Sequence, residues 1–241
     1  MRNDEDTVYT LIHSPLVGGL TWTLVAQELS ARGYPVAVPH LADQATSPLP
    51  LWQQQAESVA QALDHLSPGQ GVVLVAHSGA GPLLPAISQA LNHPVQAYVF
   101  VDAGLPRDRA SRLDLMYAED PDWAAQFHQK LRQGHTYPTW TEADLVEIIP
   151  DAELRRALLA ELYPRGLPFY SEPLPVFAGW PEAPCAYLKL SGFYDNVAAQ
   201  ARQRNWLVRE MPGAHFQMLV EPVAFTELLL ATMKDLLERA V

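Results

Sequence analysis

Cysteine is almost absent from this chain: Cys185 stands alone among 241 residues. No internal disulfide can form, so the fold owes nothing to an oxidising compartment. Positive charge is scarce as well. Sixteen Lys and Arg stand against 27 Asp and Glu, a net charge of −11, which disfavours phosphate backbones and anionic membrane surfaces as partners. No apolar run approaches the roughly 20 residues of a membrane span. There is no Gly-rich phosphate loop and no clustered His/Cys/Asp/Glu spacing, so the sequence calls for neither a cofactor nor a metal. The pair Gly18-Gly19 reads as part of a loop and not as a dinucleotide fingerprint. The stretch Met1–Asp6 is acidic and leads into a strand-like run instead of an apolar signal segment. These absences predict a cytoplasmic protein that takes a small-molecule partner, with no nucleic acid and no membrane. A homodimer is compatible with them.

What is present is a core. With 49% hydrophobic residues the chain can bury one large domain, and no boundary between two independent units is visible. Val8–Ile12 is a β-rich run, followed by a loop from His13 to Gly19 and an amphipathic stretch from Thr21 to Arg32. Tyr34–Val38 reads as a short strand and Leu51–Leu66 as a helix ended by Ser67-Pro68-Gly69. Gly71–Ala76 is a continuous apolar run of strand length, as in a strand buried on both faces, and a helix is predicted from about Gly81 to Leu91. Val95–Val101 gives the next strand, with Asp102 at its end. This alternation predicts an α/β fold with a mostly parallel central sheet flanked by helices, and ligands at the carboxyl ends of the strands.

Between Ala103 and Pro181 the pattern changes. Helical segments near Asp122–Gln133, Glu142–Ile149 and Asp151–Leu162 come without strands, and a Pro-rich stretch, Pro164–Pro184, reads as a rigid return path over the surface. The sequence thus divides into a core of residues 1–102 and 181–241 and a helical lid insertion of residues 103–180. Ala186–Ser191 and Trp206–Glu210 supply two more strands, and a helix over about Val223–Arg239 closes the domain.

The chemistry starts at Ser78. A buried strand that runs into a serine and then through Gly79-Ala80-Gly81 into a helix meets the condition for a nucleophile elbow, with Ala76 and Ala80 at the two positions that must stay small. A serine between strand and helix also serves as an N-cap, so a base is needed to separate the readings. His215 supplies one, in a loop between the last strand and the final helix, where an imidazole can reach back over the sheet. The other histidines, His13, His40, His65, His93, His128 and His135 among them, fall mostly in loops or on helix surfaces. His77, beside the serine, is counted with the substrate-binding residues. Two carboxylates compete to orient His215. Asp195, in Gly192-Phe193-Tyr194-Asp195, keeps the order Ser, Asp, His and is slightly favoured, though it also reads as a helix cap. Asp102 ends the strand after the elbow.

With these pieces the chain resembles the α/β-hydrolase superfamily, in the branch of small esterases and hydroxynitrile lyases with a helical lid. The matching segments are Leu11-Ile12-His13 through Trp22, Ala76 through Gly81, Gly192 through Asp195, and Pro212-Gly213-Ala214-His215-Phe216. The resemblance spans nearly the whole chain. It implies a serine hydrolase acting on a carboxylic ester, thioester or lactone of a small apolar substrate through Ser78, His215 and an aspartate. One departure stands out. The family usually shows His-Gly-X, where the N–H of X binds the oxyanion, but this chain has His13-Ser14-Pro15, and proline has no N–H. Gly79 remains as one donor, and the second falls to Ser14 or to the N–H of Leu16. Losing a donor costs about 3–4 kcal/mol of transition-state stabilisation. Related lyases keep a hydroxyl residue after the histidine, so proton transfer without hydrolysis, or ligand binding with little turnover, stays open. The insertion is rich in aromatic residues, some of which are expected to line an apolar pocket over Ser78.

Overall fold

A computed structural model describes residues 7–44 and 46–239; the acidic stretch Met1–Asp6 lies outside them. Six strands, β1 (Val8–Ile12), β2 (Val36–Ala37), β3 (Val72–His77), β4 (Val95–Val101), β5 (Cys185–Lys189) and β6 (Leu207–Glu210), form one sheet in the order β2-β1-β3-β4-β5-β6. Every pairing is parallel. The central strands read as apolar runs because both faces are covered. Ile12, Leu74, Ala76, Phe100 and Tyr187 face a core closed by α2 (Leu51–Leu63), α3 (Leu84–Ala90) and α9 (Asp195–Gln203). The alternate residues Leu11, Val73, Val75, Val99 and Leu188 face α1 (Leu20–Ala31) and α11 (Pro222–Arg239).

The strand order positions the site. From β1 the chain steps outward to β2 and then crosses back over β1 to β3. A change of direction of this kind opens a crevice at the carboxyl ends of the two strands involved. Two segments meet there: the loop that begins at His13 and the turn that begins at Ser78.

Between β4 and β5 lie α4 (Arg112–Glu119), α5 (Pro121–Arg132), α6 (Glu142–Leu145), α7 (Ala152–Ala160) and α8 (Leu167–Ser171), with one isolated bridge between Tyr137 and Arg165. Two of these helices were not expected. A capping box starts α4, in which the Ser111 hydroxyl accepts from the Asp114 N–H and the Asp114 carboxylate accepts from the Ser111 N–H. The helix α8 forms inside the Pro-rich stretch because Pro168 falls in its first turn, where a missing N–H removes no helical bond. Three expected elements are shorter: β2 keeps two residues of Tyr34–Val38, α6 keeps four of Glu142–Ile149, and α3 begins only at Leu84. A 3-10 turn over Ser78–Leu83 comes first. The short element α10 (Gln217–Val220) precedes α11. Among the described residues no helix is long and apolar enough to cross a membrane.

Candidate active site

Ser78 follows β3 directly and takes a φ of +56°, a left-handed conformation that costs a non-glycine residue about 1–3 kcal/mol. The packing around it holds the strain. On one side β3 is paired to both β1 and β4. On the other, the chain at Gly81 runs so close to the segment after β4 that a Cβ there would stand 2.3 Å from the Gly104 carbonyl oxygen. Glycine is required at 81, whereas Ala76 and Ala80 are fully buried with their methyl groups accommodated.

Asp102 ends β4 with a second positive φ, +41°, and its carboxylate is fully buried. Burial of a carboxylate is tolerable only if its lone pairs are filled. Here the N–H of Leu190 donates to Oδ1 at 2.6 Å, the N–H of Ser191 reaches both oxygens at 3.2 and 3.1 Å, and the Ser191 hydroxyl donates to Oδ2 at 2.6 Å. The last acceptor position receives the Nδ1–H of His215 at 3.2 Å. That bond fixes the imidazole tautomer and leaves Nε2 as the free nitrogen. Asp195 is elsewhere: it begins α9 with its side chain 63% exposed and pairs with Lys189 at 2.5 Å. Of the two carboxylates weighed from the sequence, the structure brings Asp102 to His215 and leaves Asp195 at the surface.

His77, expected among the substrate-binding residues, is not in the pocket wall. Its side chain turns away from the pocket into the core, where Nε2–H donates to the His215 carbonyl at 2.9 Å and the two rings lie 4.4 Å apart. Burial first, and the neighbouring His215 second, hold its pKa well below the usual value, so the ring is neutral and pins the loop that carries His215. His13, in the first loop, is buried as well. It donates from Nδ1 to the Ser14 carbonyl at 2.9 Å and accepts at Nε2 from the Leu41 N–H at 3.3 Å. Burial lowers its pKa as well.

The first loop packs against the elbow. A Cβ on Gly79 would stand 3.2 Å from the Ser14 hydroxyl and 3.5 Å from Pro15. The Leu16 N–H points to the Ser14 hydroxyl at 3.4 Å, so the two groups expected to replace the donor missing at Pro15 lie against each other. The helical segment ties this loop down, with Tyr163 N–H donating to the Leu16 carbonyl at 2.9 Å and the Arg165 guanidinium to the Pro15 carbonyl at 3.4 Å.

Sequence reasoning passed over Tyr194. Its ring stacks on His215 at 5.4 Å and 11°, and its hydroxyl faces the Ser78 side chain, which partly offsets the upward shift of its pKa. Burial raises its pKa, so the hydroxyl keeps its proton. Its signal in the sequence is the run Gly192-Phe193-Tyr194-Asp195, in which the tyrosine directly precedes the acid. Among the described residues no hydrogen bond joins Ser78 to the His215 ring; such bonds often tighten only when substrate is present.

A cavity of about 430 Å³ opens above the elbow, with Ser78, Gly79, Leu16 and Tyr194 on one side and Met116 and Phe169 of the helical segment on the other. Its size suits a small organic ligand. Ser14, Pro15, His77, Asp102, Asp195 and His215 are not among the residues of its wall. No group of His, Cys, Asp and Glu among the described residues is arranged to hold a metal ion.

A strained serine at a switch-point crevice and a histidine held by a buried strand-end aspartate point to one family. Its model, that of the alpha/beta hydrolase family, matches residues 11–228. The chain belongs to the α/β-hydrolase family. Solved structures agree on the fold. An extracellular α/β-hydrolase from a Paenibacillus species, described as sharing structural and functional homology with tobacco salicylic acid binding protein 2, superposes with a TM-score of 0.74 at 19% identity, over 94% of this chain and 98% of that one. Tomato methylketone synthase I complexed with 2-tridecanone gives 0.71 at 13% identity, over 96% and 99%. A pyrethroid hydrolase from Sphingobium faniae gives 0.66 at 17%, over 95% and 97%. No curated protein sequence matches this α/β-hydrolase.

Proposed function

We propose that this chain is a serine hydrolase of small, largely apolar carboxylic esters, thioesters or lactones, working through an acyl-enzyme on Ser78. The observation that carries this reading is the bond between His215 Nδ1 and a buried Asp102 whose other lone pairs are filled by Leu190 and Ser191. An imidazole held in that tautomer has Nε2 free to act as a base. Ser78 Oγ attacks the carbonyl carbon and gives its proton to Nε2; the tetrahedral intermediate collapses, and the leaving alcohol or thiol takes the proton from Nε2. Water, deprotonated by the same nitrogen, then releases the acid and restores Ser78. The Gly79 N–H supports the oxyanion, and the Tyr194 hydroxyl, protonated and beside Ser78, is the second donor that Pro15 cannot be. The helices between β4 and β5 act as the lid that excludes water from the cavity.

Turnover of short-chain p-nitrophenyl esters, together with covalent labelling by a fluorophosphonate, tests the reading. Wild type should be labelled and active, and Ser78→Ala should lose labelling and about 10³-fold or more of the rate. Labelling that persists in Ser78→Ala overturns the assignment. A second reading, proton transfer without hydrolysis, is favoured by one specific observation, Pro15 in the donor position next to the buried hydroxyl of Ser14. Labelling without ester turnover would select it.

A further inference from the structure

Two aromatic rings of the cavity wall are left in water. Phe193, in the 3-10 turn Gly192–Tyr194 after β5, is 77% exposed, and Trp123, in the first turn of α5, is 43% exposed. Exposure on that scale forgoes most of what burying such a ring contributes. Each ring is nevertheless backed by a neighbour. Phe193 meets Tyr194 edge to face at 5.2 Å and 72°, and Trp123 stacks on Phe127 at 5.1 Å and 8°. One ring comes from the β5 side of the core and the other from the helical segment. Since Tyr194 faces Ser78, Phe193 is one residue along the chain from a side chain at the elbow.

The rest of the mouth decides what kind of group these rings can receive. Met116 and Glu119 of α4, and Val197 and Gln200 of α9, lie three residues apart on their helices and all belong to the wall. Gln200 Nε2–H donates to Glu119 Oε1 at 2.6 Å across the two helices. The cavity therefore follows α4 and α9 outward. Its charges balance there, Arg107 and Arg204 against Glu119 and Asp120, and most are engaged. Glu119 holds Gln200, Asp120 Oδ1 accepts from the Trp123 N–H at 3.0 Å, and the Arg204 guanidinium lies 5.5 Å over the Trp206 ring. Arg112 offers no free donor edge, because its Nε and Nη2 are sealed by burial. A charged group on the substrate gains little at such a mouth. A neutral aromatic group gains two rings to pack on, and Leu105, Leu115, Met116 and Val197 offer hydrocarbon to an alkyl spacer.

We propose that Phe193 and Trp123 form an aromatic subsite at the mouth of the cavity, so that the natural substrate is a neutral ester whose aryl group is joined by an alkyl spacer to the reacting carboxyl group, on its acyl or its alcohol side. This rests on the reading of Ser78 as nucleophile.

The test uses the full-length protein and two series of esters: acetates of 2-phenylethanol, 4-phenylbutanol and 6-phenylhexanol, and methyl esters of 3-phenylpropionic, 5-phenylpentanoic and 7-phenylheptanoic acids. Each is compared with the ester of the same spacer that lacks the ring. In wild type, kcat/KM for the phenyl-ended ester should exceed that of its plain partner by about tenfold at one spacer length, the scale of covering one aromatic ring; the series in which this happens identifies the side of the ester that reaches the mouth. Phe193→Ala combined with Trp123→Ala should bring the ratio to about one, with each single variant in between. Phe193→Ala takes little from the core, so its ratio is readable even if Trp123→Ala folds poorly. A wild-type ratio of one or below at every spacer in both series overturns the proposal, as does a preference that the double variant retains. Should no ester be turned over at all, the nucleophile reading fails on its own, and calorimetric titration with the same pairs of esters then reads the subsite alone. Tighter binding of the phenyl-ended ester that is lost in Phe193→Ala sustains the subsite; equal binding of the two esters, or tighter binding that the double variant keeps, removes it.

Discussion

The segment after β4 begins with one acidic residue, Asp102, and the segment after β5 ends on another, Asp195, and the molecule treats the two differently. Asp102 leaves β4 at a strained φ and turns into the core, where Leu190, Ser191 and His215 fill its lone pairs. Asp195 leaves β5 through a short 3-10 turn, starts a helix and spends its charge on Lys189 at the surface. Yet the β5 loop is not idle. Its Ser191 clasps Asp102, and its Tyr194 stacks on His215 and faces Ser78. One loop gives the carboxylate and the other gives what holds and completes it.

The strongest way to break this comparison is to remove each charge in turn. Asp102→Asn should lower kcat/KM for a p-nitrophenyl ester by about 10³-fold, because an amide in that place favours the wrong imidazole tautomer. Asp195→Asn should stay within about threefold, as expected of an exposed ion pair. The reverse order of effects would return the role to Asp195. Next in size is Tyr194→Phe, which keeps the ring on His215 and deletes only the hydroxyl. We expect kcat to fall by about 10²-fold with little change in KM, the pattern of a donor used mainly in the transition state. A rise in KM with kcat unchanged would make Tyr194 a ground-state contact instead.

The difference between the two loops also marks what the sequence could reveal. The β3 run, Ser78 and the small residues after it are legible because a doubly buried strand and a tight turn restrict residue choice locally. His215 is legible from its place after the last strand. The choice between Asp102 and Asp195 is not, since it depends on whether the backbone N–H groups of Leu190 and Ser191 face one carboxylate or the other, and backbone direction leaves no trace in residue type. The same holds for His77, which reads as a pocket residue beside Ser78 until the alternation of β3 turns it inward.

The smallest effect concerns stability, and it sharpens the contrast between the pinned side of the site and the open one. His77 and His13 are buried neutral, with folded-state pKa values below the ordinary 6.5 mainly because of burial. Between each folded value and 6.5 the unfolded chain binds more protons than the folded one, so stability is complete above about pH 6.5 and is lost as pH falls below it. Each histidine contributes a slope of at most about 1.4 kcal/mol per pH unit within that window, larger for His77, whose pKa is lowered further. Denaturant unfolding at pH 7.5, 6.5 and 5.5 should therefore show wild type weakening with acidity. His77→Gln can keep an N–H for the His215 carbonyl while losing the titration, and its curve should flatten by the share of one histidine. Parallel curves for the two proteins would mean that His77 is not held neutral by the core, and the inward turn of β3 would lose its energetic signature.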